Sequence, residues 1–222
     1  MRTKTINIYE FKELKPEVQE KVLEQQRNLA YEDQWTYESI MEWIKEALIE
    51  KGFPIDDKNF YWSFEGYKTN TRIGLRGNFD YKQYIDWHIE NLNEKDKAEW
   101  IDAKNKYSCI FKTIGSVSIN TYNDNYIDIS YEDWKLEFEE VIDEDEEFLE
   151  ELEEEFTNDI SEEVFKTLFL EFKEWLEDKV LDTQKQYEKA MEEDLKYSLS
   201  DEALKENIEA NEYEFLENGE RY

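Results

Sequence analysis

Apolar residues recur along this chain at two periods, and the two periods divide it into helices and short strands. Steps of three and four place side chains on one face of a helix, and steps of two place them on one face of a strand. Val18, Val22 and Leu29 form a helical stripe that begins at Lys15 or Pro16, where proline suits the first helical position. Trp35, Ile40, Trp43, Ile44, Ala47 and Leu48 form a second, running from a cap at Asp33 to Lys51, with Gly52 placed to end it in the left-handed conformation. These two helices are expected to form a hairpin. Residues 81–92 and 94–107 read as two helical segments, or as one interrupted near Asn93. Alternation marks strands at residues 5–9, with Ile6 and Ile8, at 59–65, with Phe60, Trp62 and Phe64, and at 71–79, with Ile73, Leu75 and Phe79. Residues 109–120 and 126–131 also have strand character, joined by a turn at Tyr122-Asn123-Asp124-Asn125, so that Val117 and Ile119 share a core with Ile127 and Ile129.

The pattern is most heavily charged at residues 132–163, where eighteen of thirty-two positions are Asp or Glu and Lys135 is the only cation. Trp134, Phe138, Val141, Ile142, Leu149, Leu152 and Phe156 still recur at helical steps there, which predicts a folded acidic helix rather than a disordered tail. Ser161 is placed to cap a further helix to about Tyr197, with Val164, Leu168, Phe172, Leu176, Val180, Tyr187, Met191 and Leu195 as its stripe. Ser200 caps a short helix through Ala210, and residues 213–222 read as a terminal hairpin turning at Asn218-Gly219. Together this predicts an α+β fold: a small antiparallel sheet packed with helical hairpins, including a long acidic C-terminal helix pair. One domain over residues 1–222 is expected. The alternative is a division near residue 131 into a mixed scaffold (1–131) and an acidic helical part with the terminal hairpin (132–222).

Charge narrows the functional classes. The net charge is −31, and residues 111–222 hold 37 acids against 10 bases, a net of −27, while residues 1–110 are nearly balanced. Such a field repels phosphates, so direct binding to nucleic acid or an anionic membrane is not expected, and basic partners are favoured. The single Cys109 supports no disulfide framework, no apolar run reaches bilayer length, and the opening MRTKTINIYEF has no signal-peptide core. A cytoplasmic protein is expected.

No motif identifies a reaction, and no enzyme activity, cofactor or metal is expected. The only histidine, His88, lies on a helix between Trp87 and Ile89 and is expected to be structural. Cys109 is expected to be a buried residue on a strand, and no local feature supports a Cys109/His88 nucleophilic pair. Residues 123–128 place Ile127 where a calcium loop needs oxygen, so they are better read as a turn. Successive acids at 143–147 point about 100° apart on a helix and do not converge on one ion.

What an acidic helix can do is hold anions in rows, because side chains three, four and seven apart stack on one face. The candidate rows are Glu140, Glu144, Glu147, Glu151 and Glu154 on the first acidic helix, with Glu171, Glu174, Asp178 and Asp182 on the second. Such rows can occupy the cationic groove that another protein uses for DNA or RNA. A plain reading, in which charge only solvates helix faces, competes with this one. So does an interaction or assembly module working through aromatics such as Trp62 and Tyr67, or a carboxylate-dependent metal enzyme.

Two segments, IYEFKELKPEVQEKVLEQQR at 8–27 and SDEALKENIEANEYEFLENGERY at 200–222, resemble acidic accessory proteins of phages and prophages of Gram-positive bacteria. The resemblance supplies no catalytic residue. It implies a small phage protein acting in the bacterial cytoplasm. That context fits an anti-defence inhibitor that mimics nucleic acid and blocks the basic surface of a CRISPR, restriction or other host defence protein.

Overall fold

The computed structural model describes residues 6–32, 34–56, 58, 60–65, 70–113, 117–121, 126–128 and 162–222. The expected acidic helix at 132–163, apart from its last two residues, lies outside the described residues. So do the caps Asp33 and Ser161, and the turn at 122–125. The fold is α+β. In chain order the elements are β1 (Tyr9–Glu10), a 3-10 turn (Phe11–Glu13), α1 (Pro16–Glu32), α2 (Gln34–Glu50), β2 (Phe60–Glu65), β3 (Asn70–Phe79), α3 (Tyr81–Asn91) and α4 (Glu94–Lys106). They continue with α5 (Ser108–Thr113), β4 (Val117–Asn120), β5 (Tyr126–Asp128), α6 (Glu162–Ser198), α7 (Asp201–Ala210) and β6 (Glu214–Phe215). Two compact units divide the chain, one of Met1–Trp43 with Lys189–Tyr222 and one of Ile44–Glu188.

In the first unit, β1 pairs antiparallel with β6, Tyr9 opposite Phe215 and Glu10 opposite Glu214. The expected strand at 5–9 is displaced toward the C-terminus. Ile6 and Ile8 precede the ladder and are exposed, because β6 offers only two residues before the chain turns. Phe11, Leu14, Val22, Leu23, Leu204, Ile208 and Phe215 form the core. The apolar face of α1 is therefore covered by α7 and β6, from the far end of the sequence, where a hairpin with α2 was expected. Leu29, expected on the buried stripe, is 60% exposed. Arg27 ties α1 to the start of α7: its Nε donates to the Leu199 carbonyl at 3.0 Å, Nη2 pairs with Asp201 at 2.5 Å, and Nη1 pairs with Glu24. Ser200 caps α7, its Oγ accepting from the Ala203 amide at 3.2 Å.

In the second unit, a four-stranded antiparallel sheet runs in the order β2-β3-β4-β5. Ile73, Leu75 and Phe79 of β3 point to one face and are buried. Phe79 stacks on Phe53 at 4.6 Å and meets the edge of Tyr84 at 5.2 Å. Asn93 is the N-cap of α4, accepting from the Lys95 and Asp96 amides, so 81–106 is two helices and not one. Cys109 was expected on a strand; residues 108–113 instead form α5. The amides of Ile110 and Phe111 both bond to the Tyr107 carbonyl, and Ile110 is fully buried, so tertiary packing overrides the local β preference. Beyond the four residues of β3 that pair with β4, side chains complete the free edge. Thr121 Oγ1 accepts from the Leu75 amide at 2.9 Å, Glu188 accepts from the Ile73 amide at 3.0 Å, and Gln184 donates to the Ile73 carbonyl at 2.6 Å.

Two helices end in the same motif with different residues. At α2, Phe53 N bonds Leu48 O and Gly52 N bonds Ile49 O, with Gly52 at φ +78°. At α7, Tyr213 N bonds Ile208 O and Glu212 N bonds Glu209 O, with Glu212 in the left-handed position at φ +51°. A Cβ at position 52 would sit 2.4 Å from the Asp80 carbonyl oxygen. Gly52→Ala is expected to cost about 2 kcal/mol or more, and Glu212→Gly to stabilise by about 0.5–1 kcal/mol. Urea unfolding checks both. A destabilised Glu212→Gly chain would show that the Glu212 side chain outweighs its backbone strain.

Candidate anionic surface

α6 spans 37 residues, about 55 Å at helical rise. Its buried face includes Phe169, Phe172, Leu176, Val180, Thr183, Gln184 and Met191. The expected stripe holds for Phe172, Leu176, Val180 and Met191, while Leu168, Tyr187 and Leu195 are half-buried. Burial of that face fixes the direction of the opposite one. Glu171, Glu174, Asp178 and Asp182 follow one another at steps of three, four and four, within an arc of about 80°, and all four are exposed.

The structure thus brings these four acids into one outward row about 16 Å long. Lysines counter both ends of it. Lys106 Nζ pairs with Glu171 at 2.7 Å, and Lys185 pairs with Asp182 at 3.8 Å. The hydrogen bond to Glu171 raises the Lys106 pKa above the usual lysine value. Among the described residues Glu174 and Asp178 carry no ion pair, so they are the uncompensated centre of the row. One helical turn beyond Asp182, the same face continues with Lys185 and ends the row. Four carboxylates in about 16 Å give one charge per roughly 5 Å, against one per 3.4 Å along a DNA strand. The second expected row, Glu140, Glu144, Glu147, Glu151 and Glu154, lies outside the described residues.

A further acidic group escaped sequence reading. Glu10, Glu209, Glu212 and Glu214, with Lys12, rim a cleft of about 400 Å³ in the first unit. The pairing of β1 with β6 brings together acids some 200 residues apart, and no local pattern signals that.

Three titratable side chains of the second unit, Lys51, Tyr84 and His88, are buried in packed surroundings. His88 is buried and stacks on Trp100 at 3.9 Å, and its Nδ1 donates to the Tyr84 carbonyl at 2.8 Å. Burial lowers its pKa to about 4, helped by the nearby Lys51 and Lys179 charges, so the ring is neutral at pH 7. Tyr84 bonds Thr183 Oγ1 at 2.6 Å and the Lys179 carbonyl at 2.8 Å, and burial raises its pKa. Lys51 stands 3.8 Å over the Trp87 ring and 4.9 Å over that of Tyr187, and it bonds the Tyr187 hydroxyl. Burial lowers its pKa as well. Its role was not visible in the sequence, where it is one more lysine at a helix end. Among the described residues no three His, Cys, Asp or Glu side chains are placed to hold a metal, and no helix is long and apolar enough to cross a membrane. No protein-family model, curated protein or solved structure matches the chain.

The His88 geometry sets a pH dependence. The unfolded chain binds this proton near pH 6.5 and the folded chain only near 4. Falling pH therefore favours the unfolded state progressively across that window, and the loss is absent above it. Carboxylate protonation relieves repulsion across the whole chain, so the comparison must be with His88→Phe. Urea midpoints should fall more for the native chain than for the variant between pH 7 and 5. An equal fall in both would remove His88 as the cause.

Proposed function

We propose that this chain is a non-enzymatic inhibitor whose anionic surface occupies the basic nucleic-acid-binding groove of a bacterial defence nuclease or a related host complex. The observation that carries this reading is the confinement of a −27 net charge to residues 111–222, with the exposed row Glu171 to Asp182 held rigidly outward by the buried face of α6. A row on a packed helix loses little entropy on binding, whereas a flexible acidic tail must be ordered first. Displacing phosphates from a cationic groove uses the same charge attraction and counterion exchange that nucleic acid uses. The α6 row is sparser than a DNA strand, and so the acids of 132–163 supply the rest of the mimicry. The aromatic reading has less support: of its two named residues Trp62 is half-buried, while Tyr67 lies outside the described residues.

In a pull-down from bacterial lysate, the captured partner should be released both by rising salt and by added duplex DNA or RNA. Capture insensitive to both would sink the reading. Changing Glu171, Glu174, Asp178 and Asp182 together to Lys should weaken binding by about tenfold or more with the thermal midpoint preserved. The same substitution at Glu144, Glu147, Glu151 and Glu154 should weaken it further. Unchanged affinity in both variants would remove the acidic rows as the contact.

A further inference from the structure

In the first unit, Gln25, Gln26, Asn28 and Leu29 of α1 face Phe215, Gly219 and Arg221 across a cleft of about 370 Å³. In a chain with 58 acids, none lines it. The cleft is held in shape by close packing. Phe215 is buried in the core, and Gly219, at φ +85°, leaves no room for a side chain, since a Cβ would lie 2.9 Å from Val18 and 3.0 Å from Val22. Arg221 is fixed in the returning arm of the terminal hairpin by its bridge to Phe215.

The guanidinium of Arg221 lies 3.5 Å over the Tyr213 ring and forms no ion pair with any described residue, although acids outnumber bases by about two to one. Stacking engages its flat face and leaves the in-plane N–H fork free, which is the geometry that grips a carboxylate with two bonds. The carboxamides of Gln25, Gln26 and Asn28 likewise make no hydrogen bond to another described residue. They present donors and acceptors of the kind a peptide backbone needs. Leu29, 60% exposed, offers the one aliphatic contact.

We infer that this cleft is a binding site for a short peptide bearing a carboxylate, with Arg221 gripping the carboxylate, the three carboxamides reading the backbone and Leu29 meeting an apolar side chain. The volume suits a few residues. The net charge of the chain opposes an anionic ligand at long range, but at physiological salt that field is screened beyond about 8 Å. The acid-free lining governs at contact distance.

Calorimetric titration of the full chain at physiological salt tests this with three acetylated tetrapeptides. One ends in leucine with a free carboxylate, one is its neutral amide, and one is an amide carrying an internal Glu. At least one carboxylate peptide should bind about tenfold tighter than the neutral amide, and the tighter of the two identifies whether a chain end or a side chain is read. Arg221→Gln should abolish the preference, and Arg221→Lys should keep only part of it. Gln25→Glu, at an exposed position, should produce the same loss by placing a carboxylate in the cleft even if Arg221→Gln fails to fold. Equal binding of the three peptides, no saturation at millimolar concentration, or an undiminished preference in both Arg221→Gln and Gln25→Glu would overturn the inference.

Discussion

Burial of an aromatic cluster under one face of α6 is the interaction on which the second unit depends. Tyr84 is its centre, touching Phe53, Phe79, His88 and Trp100 at ring distances of 4.4–5.5 Å and donating to α6 through its hydroxyl. Each such side chain, taken from water, contributes about 1.5–3 kcal/mol. Neighbouring carboxylates in a row, about 6 Å apart in water, repel by less than about 1 kcal/mol, and salt reduces that further. The core therefore outweighs the self-repulsion of a strongly acidic surface, provided the two lie on opposite faces of the same helix. α6 meets that condition.

The same condition links packing to recognition. A face that is fixed by Phe172, Leu176 and Val180 cannot rotate to turn the acid row away from solvent, so the pattern seen by a partner is set by residues the partner never touches. Polar side chains extend this control to the sheet. Gln184 and Glu188 stand in for a missing strand along the edge of β3, and the orphan Oε1 of Gln184 is the one buried side-chain acceptor without a partner among the described residues. An edge closed by side chains is also less available for pairing with another chain.

Much of this was readable in the residues where local chemistry and tertiary context agree. Pro16 marks a helix start by its fixed φ and Gly52 a helix end by its access to positive φ, and Asn93 and Ser200 mark starts by capping. The 73/75/79 alternation located the central strand because its face is fully buried. Reading failed where distant packing decides. Ile6 and Ile8 alternate like a strand but lack a partner of matching length. Residues 108–113 look extended but continue helically from Tyr107. The left-handed Glu212 closes a helix as Gly52 does, yet carries no sequence mark, because a motif that usually takes glycine is here enforced by its hydrogen bonds. Of the acid row, the spacing of Glu171 to Asp182 was legible, whereas its neutralisation by Lys106, 65 residues earlier, was not.

The pairing of β1 with β6 also bears on the order of events during synthesis. Phe11, Leu14, Val22 and Leu23 leave the ribosome some 180 residues or more before Leu204, Ile208 and Phe215, which cover them. Until then this apolar face of α1 has no native cover, and closing so long a loop carries an entropy cost that local contacts do not offset. α1 is thus secured only after residues far later in the chain have been made. Once residues 111–222 emerge, their net charge of −27 opposes the approach of neighbouring copies while these apolar faces remain uncovered.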